Sequence, residues 1–430
     1  MLVHALQDGT AVWLDPMRDV RSVALGMYVA SGSSSEGPDR LGSTHFLEHL
    51  LFKRTKRRTG PAIARMTDRL GGECDAYTSK ESLAFHTRTT SERLEEAVDL
   101  LFDLTEAPAF TAEDVEVERG VILEEMAEAN DVPEDNLHDT FMRSLWPNHP
   151  LGAPVLGTRE SVGPLTRTRL VQRFREIFRP ERMVIVAVGA LDPARIMGML
   201  EKASRARKAR PALESDVQPI QKRARSPRAS RCAFHVARPE LSQVHLLIGA
   251  PTIPYGHPLQ AAAHLSIVAL GGGVSSRLWR DVRERRGLAY HVGTGLTLHR
   301  DAGFSLIEAA TTPKNLTRLV KTAGRAVKHF VADGLSAAEL ERAKNQTRAE
   351  VALALESTAA RREHAARAWL YRGRPHEADE ILAEIGRVTK ADVAEANRLL
   401  FGNLGPVGIG IAGPALDGPS IQELAAELAA

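Results

Sequence analysis

Two stretches of the chain share one order of apolar and polar segments. Continuous apolar runs at residues 23–29 and 244–249 predict buried strands. Each run precedes a helix, a glycine-rich turn and a segment that contains Ala-Tyr, first as Ala76–Tyr77 and again as Ala289–Tyr290. Each stretch then continues into a pair of long helices. The pattern indicates a weak internal duplication rather than a solenoid of short repeats.

Strands followed by runs of helices are typical of α+β domains. We therefore expect two similar α+β domains, each a mostly antiparallel sheet with helices packed on one face. Residues 204–231, between the two patterns, are rich in Arg, Ala, Pro and Ser and have little apolar periodicity, which predicts a linker. The predicted domains are residues 1–203 and 232–430. A basic nucleic-acid-binding arm is the alternative for the linker, but its prolines and few aromatics favour an extended connector.

Composition restricts the class of protein. The 430 residues carry a formal net charge of +2 and are 43% hydrophobic, which is sufficient for large cores. The nearly neutral charge and the 5% aromatic content argue against nucleic-acid binding, and no apolar run reaches the ~18 residues of a membrane span. Cys74 and Cys232 give no sign of a disulfide framework. Since no basic and apolar leader pattern opens the sequence, we expect a cytoplasmic protein without nucleic-acid or membrane partners.

A five-residue segment, His-Phe-Leu-Glu-His, carries the strongest chemical signal. In a helix begun by Ser43 or Thr44 as N-cap, His45 and His49 project from one face, where two imidazoles can occupy two corners of a tetrahedral zinc site. Glu48 lies beside them and can take a proton from an attacking water. The order His-x-x-Glu-His is the inverted zinc-peptidase signature. The alternative, a core helix with two satisfied histidines, leaves these polar groups beside an apolar face unexplained.

A catalytic zinc site usually has three protein ligands, so a further carboxylate, His or Cys is needed. Glu118 and Glu125 lie two turns apart on one face of a second predicted helix. Aliphatic residues on the same side indicate a packed face, where carboxylates need a compensating cation. The alternative is a solvated acidic helix. The spacing alone does not distinguish Glu125 from its neighbours Glu124 and Glu128.

These features resemble the pitrilysin/insulinase superfamily of zinc peptidases, and most closely its short-chain branch, which includes mitochondrial processing peptidase. The resemblance covers nearly the whole chain: the early strand, the His-x-x-Glu-His helix, the later Glu-bearing helix and the separation between them. It implies that His45, His49 and Glu125 bind zinc and that Glu48 is the general base. It also implies that Glu118 is a carboxylate that orients one of the ligands.

The second half has no matching zinc motif, but Arg283 and Tyr290 lie seven residues apart. In the same superfamily an Arg and a Tyr at this spacing close over the active site, which implies that they stabilise the oxyanion. Taken alone, Arg283 is one surface arginine among many and Tyr290 a strand aromatic. The resemblance also implies that the strand with Asp75, Ala76 and Tyr77 is a sheet edge that pairs with an extended peptide. The family commonly has Asn where this chain has Asp75.

We therefore expect a zinc-dependent metalloendopeptidase that hydrolyses peptide bonds in unfolded peptides or precursor segments, with Zn²⁺ as its cofactor. A noncatalytic or partner-dependent subunit is the alternative, because short-chain relatives often divide the zinc ligands and the Arg/Tyr pair between two subunits. This chain carries both sets. The expected partners are the peptide substrate and a second subunit, in a homodimer or in a heterodimer with a related chain.

Overall fold

The computed structural model describes residues 1–71, 73–205, 227–402, 408–416 and 418–429. Within these ranges the strands form one six-stranded and one five-stranded sheet. The strands are β1 (Leu2–Ala5), β2 (Ala11–Pro16), β3 (Ser22–Val29), β4 (Cys74–Thr78), β5 (Leu83–Thr90), β6 (Met183–Gly189), β7 (Ala233–Ala237), β8 (Val244–Thr252), β9 (His291–Leu298), β10 (Gly303–Thr311) and β11 (Gly408–Gly413).

Helices alternate with groups of these strands along the chain. The α-helices are α1 (Ser43–Lys53), α2 (Gly60–Leu70), α3 (Leu94–Glu106), α4 (Ala112–Asp131), α5 (Pro133–Leu145), α6 (Arg159–Val162), α7 (Arg167–Ile177), α8 (Pro193–Ser204), α9 (Gln260–Gly271), α10 (Leu316–Asp333), α11 (Ala337–Ala354), α12 (Thr358–Arg372), α13 (Ala378–Arg387), α14 (Lys390–Asn397) and α15 (Ile421–Ala429). None of the helices in the described ranges has the length and apolar character needed to cross a membrane.

The first compact unit comprises the described residues of Met1–Ala127, Ala153–Lys222 and Leu353–Glu377. Its sheet has the order β1-β2-β6-β3-β5-β4; β2 and β6 run parallel, and the other neighbours run antiparallel. All of β6 is buried, as its continuous apolar sequence requires. Ile185 and Ala187 face a core formed with α1, α3 and α7. The alternate valines of β6 face α12 on the opposite side of the sheet.

The second unit comprises the described residues of Glu128–Gly152, Arg223–Ala352 and Ala378–Ala430. Its sheet has the order β7-β11-β8-β10-β9, and β7 and β11 form its parallel pair. One face packs against α9, α10 and α14. The other face is covered by α5, whose side chains meet apolar residues of β8 and β10. The two units therefore repeat one architecture.

Two similar α+β domains with mostly antiparallel sheets were predicted, and this fold is confirmed. Helices cover both faces of each sheet rather than one, because each unit takes in a helix from the other half of the chain: α12 in the first unit and α5 in the second. No pattern in the sequence predicted this exchange. The predicted linker falls largely on residues 206–226, outside the described residues, so the predicted domain boundaries remain a prediction.

Candidate metal centre and active site

The start of α1 is held by a buried carboxylate. The helix begins at Ser43 with Gly42 as N-cap, in a left-handed conformation (φ +83°), so the predicted Ser43 or Thr44 cap is wrong. A side chain at Gly42 would collide with the Leu156 carbonyl, 2.4 Å from the Cβ position. The N–H groups that start the helix instead donate to the Glu36 carboxylate, from Gly42 at 2.7 Å and from Thr44 at 2.6 Å. This capping fixes the start of the helix that carries both histidines.

His45, His49 and Glu125 converge on one point. Their ligand atoms all lie within 4.8 Å of one another. Glu125 Oε1 is 3.6 Å from His45 Nε2, and Glu125 Oε2 is 3.3 Å from His49 Nε2. Two ligand atoms of a tetrahedral zinc ion with bonds of about 2.1 Å are separated by about 3.4 Å. Two imidazole nitrogens and a carboxylate at these separations fit a zinc site with one open position.

The fold brings one carboxylate of α4 towards the two histidines, a choice that the spacing along α4 left open. Glu125 faces α1, whereas Glu124 and Glu128 are exposed on the same helix. Of the aliphatic residues expected on the packed side, Ile122 is fully buried but Val121 is exposed. The packed side of α4 is therefore narrower than predicted.

The two histidines differ in electrostatic environment. Burial lowers the pKa of His45 to about 4, so its imidazole is neutral at pH 7. Burial acts in the same direction on His49, but hydrogen bonds to Glu118 and Glu125 outweigh it and raise the pKa of His49 to about 9. In the metal-free chain His49 therefore holds a proton where a metal ion would bind.

Glu118 contacts His49 on the side of the imidazole ring opposite the candidate metal position. Its Oε2 accepts a hydrogen bond from His49 Nδ1 at 3.1 Å, which directs Nε2 towards Glu125. Its Oε1 lies 2.6 Å from Lys53 Nζ. Although burial opposes this direction, the bonds from His49 and Lys53 lower the pKa of Glu118. A nearly buried carboxylate between two cations fits the predicted role of orienting a ligand.

Glu48 lies on α1 between the two histidines, beside the strand β4. Thr78 Oγ1 donates a hydrogen bond to Glu48 Oε2 at 2.5 Å. Burial raises the pKa of Glu48, and the bond from Thr78 acts in the opposite direction. A half-buried carboxylate with a raised pKa next to a metal site has the properties of a general base.

The strand β4 is the outermost strand of the first sheet, as predicted, whereas its pairing with a peptide remains a prediction. Thr78 faces Glu48, so the alternation of strand side chains turns Asp75 and Tyr77 to the other face. The Tyr77 hydroxyl donates to Glu363 of α12, and the Asp75 carboxylate accepts a hydrogen bond from the Ala76 N–H at 2.8 Å. Tyr77 therefore supports the strand from the face that α12 covers.

Arg283 and Tyr290 belong to the second unit and contact each other. Arg283 lies near the end of a short π-helical segment, Trp279–Glu284. Its guanidinium carbon lies 4.4 Å from the centre of the Tyr290 ring and 4.1 Å from the centre of the Trp279 ring. Tyr290 is 80% exposed. The Arg283 guanidinium thus lies within cation–π distance of both aromatic rings.

Sequence reasoning did not assign roles to Lys53, Thr78 or Glu36. Lys53 follows His49 by four residues, so the helical period that paired the histidines also places the lysine on their face. Thr78 follows Ala76 by two residues, so strand alternation would have placed the two on one face. No sequence pattern predicts the role of Glu36, because the loop before α1 has no regular repeat that relates its side chains to the helix.

Comparison with known proteins assigns the family. Residues 15–159 match the family model described as insulinase (peptidase family M16), and residues 164–347 match the one described as the peptidase M16 inactive domain. A protein of Mycobacterium bovis named an uncharacterized zinc protease is 35% identical over 94% of this chain and 92% of its own length. A protein of the same description from Bacillus subtilis is 31% identical over 93% of this chain and 95% of its own.

Solved structures show the same fold. A crystal structure described as a peptidase M16 inactive domain from Pseudomonas fluorescens has a TM-score of 0.86 at 23% identity, over 97% of this chain and 99% of its own. A protease from Helicobacter pylori also has a TM-score of 0.86, at 19% identity, over 96% of this chain and 99% of its own. The family-model matches and the relatives that are more than 30% identical confirm the predicted family, and the chain belongs to the M16 (insulinase) family of peptidases.

Proposed function

We propose that the protein is a zinc-dependent metalloendopeptidase that hydrolyses peptide bonds in unfolded peptides or precursor segments. The observation that supports this most directly is the convergence of His45, His49 and Glu125, with Glu48 beside them in the same unit. The two relatives from Mycobacterium bovis and Bacillus subtilis are both named uncharacterized zinc proteases, which supports the same metal. Zinc bound by these three residues would supply Lewis-acid chemistry that makes hydrolysis possible at neutral pH.

The chain's own residues account for the proton transfers. Glu48 takes a proton from the attacking water and passes it to the leaving amine, which requires a carboxylate that changes its protonation state easily. Burial raises the pKa of Glu48 above its usual range despite the opposing hydrogen bond from Thr78, and a raised pKa suits this exchange. Glu118 holds His49 in the orientation that presents Nε2 to the metal.

An extended substrate fits the open edge of β4. A peptide that pairs with this edge gains backbone hydrogen bonds without regard to its side chains, so unfolded segments are the expected substrates. Ala76 and Tyr77 belong to this strand. The Ala76 N–H donates to the Asp75 carboxylate, and a docked peptide would take the place of that carboxylate as the acceptor. We assign oxyanion stabilisation to Arg283 and Tyr290, since the guanidinium and the phenol are both hydrogen-bond donors.

The Glu48→Gln variant tests this function. We expect it to bind zinc as the wild type does and to lose about 10²–10⁴-fold in kcat on a quenched fluorescent peptide, because an amide cannot accept the proton. Glu124→Gln is the matched control, since Glu124 is exposed on α4 and should leave turnover unchanged. Substantial turnover by Glu48→Gln at full zinc occupancy would remove the role assigned to Glu48.

A noncatalytic or partner-dependent subunit is the second candidate, because residues 164–347 match a family model described as inactive. Turnover by the purified chain alone, measured together with its mass by light scattering, separates the candidates. Activity of the homodimer supports a self-sufficient enzyme. Zinc binding without turnover, restored by a related chain, would favour the partner-dependent subunit. We also propose a dimer and a cytoplasmic location, both of which are expectations from the sequence.

A further inference from the structure

The backbone of β4 alternates between its neighbour β5 and the open edge. The Arg88 N–H donates to the Glu73 carbonyl at 3.0 Å, and the Ser79 N–H donates to the Ser82 carbonyl at 2.8 Å. In an antiparallel pair, residues that exchange hydrogen bonds alternate with residues whose N–H and C=O point away from the partner. Thr78 precedes Ser79, so its N–H and C=O point to the open edge.

The side chain of the same residue reaches the active site. Thr78 Oγ1 donates a hydrogen bond to Glu48 Oε2. The candidate ligand Glu125 and the orienting carboxylate Glu118 lie elsewhere, on α4. Thr78 is therefore the residue of β4 whose side chain contacts Glu48 and whose backbone groups point to the edge where a peptide would pair.

The position of this strand is fixed from its other face. The Tyr77 hydroxyl donates to Glu363, and the Tyr28 hydroxyl of the central strand β3 donates to the same carboxylate at 3.0 Å. One carboxylate of α12 thus ties the edge strand to the middle of the sheet. Rigid support of this kind is what a residue needs if it is to hold a neighbour in a defined orientation.

We propose that Thr78 is a positioning residue, whose hydroxyl orients Glu48 while its backbone pairs with the substrate, so that peptide docking fixes the general base. The proposal rests on the proposed peptidase function. A docked peptide would hydrogen-bond the Thr78 backbone and restrict the strand, and the hydroxyl would transmit this restriction to Glu48. A correctly oriented general base stabilises the transition state more than the bound substrate. Loss of this orientation should therefore lower kcat more than it raises KM.

Three variants of the full-length, zinc-loaded chain test the proposal with a quenched fluorescent peptide. Thr78→Val keeps the shape and strand preference of threonine but removes the hydroxyl, and we expect a loss of about 10–100-fold in kcat with little change in KM. Thr78→Ser restores a hydroxyl and should recover most of the rate. Thr87→Val is the matched control: Thr87 lies on the neighbouring strand, is 1% exposed, and has a hydroxyl without a hydrogen-bond partner among the described residues.

A second readout does not depend on turnover. Crystal structures of the metal-free wild type and Thr78→Val should show one Glu48 orientation in the wild type and more than one in the variant. Zinc stoichiometry should be the same in all variants. Unchanged kcat in Thr78→Val, or a single unaltered Glu48 orientation, would overturn the proposal and leave the peptidase function standing. A fully zinc-loaded wild type without turnover on any peptide would overturn both.

Discussion

Zinc affinity should rise steeply between pH 7 and pH 9. The metal-free chain holds a proton on His49, whose pKa is about 9, while His45, with a pKa of about 4, is already neutral. Zinc must therefore displace about one proton at pH 7. With a pKa about two units above the working pH, only about 1% of the chain has a free His49 ligand, and the apparent affinity at pH 7 should be about 100-fold below its limit.

Calorimetric titration with zinc at pH 7 in two buffers of different ionisation enthalpy measures the released protons directly. Competition with a chelating dye at several pH values gives the affinity, which should increase about tenfold per pH unit up to pH 9. A constant affinity over this range, or no proton release at pH 7, would refute the protonated His49 and with it the electrostatic role of Glu118. Release of two protons would show that a second group, such as Glu48 or His45, also loses a proton when zinc binds.

Four further variants follow from contacts described above. Glu118→Gln removes the charge that helps to hold the proton on His49, so zinc affinity should fall about 10–100-fold at high pH and depend less on pH in the dye competition. Glu36→Ala leaves two backbone donors at the start of α1 without their acceptor, and urea unfolding should show a loss of about 3 kcal/mol. Arg283→Lys and Tyr290→Phe should each lower kcat by about 10–100-fold at unchanged melting temperature, since each changes a donor to the oxyanion; normal rates would remove that assignment.

Periodic patterns allowed much of the site to be predicted from the sequence. The spacing of four residues places His45 and His49 on one helical face, and the spacing of seven places Glu118 and Glu125 together on α4. A period cannot rank Glu125 above Glu124 or Glu128, because that choice depends on how α4 lies against α1. Tertiary packing likewise determines the contact of Thr78 with Glu48.

Periodic patterns could not predict that each unit contains a helix from the other half of the chain. The helix α12 carries small and aromatic apolar residues, such as Ala365, Ala366 and Trp369, that would suit any buried surface. Nothing in this pattern specifies the first sheet rather than the second. The choice depends on side chains far apart in sequence, such as Tyr28 and Glu363, whose hydrogen bond exists only after the strands have assembled.

The charges around the metal centre explain why the cation and the general base depend on each other. When Glu48 is ionised, the cluster contains three carboxylates, those of Glu48, Glu118 and Glu125. Only two cations, protonated His49 and Lys53, balance them, so this half-buried cluster carries one excess negative charge. Burial disfavours that excess, which is the direction in which the pKa of Glu48 is shifted. Exchange of the His49 proton for a divalent ion removes the excess. The cation therefore favours the ionised form of Glu48, the form that can accept a proton, so the ligands and the base form one electrostatic unit.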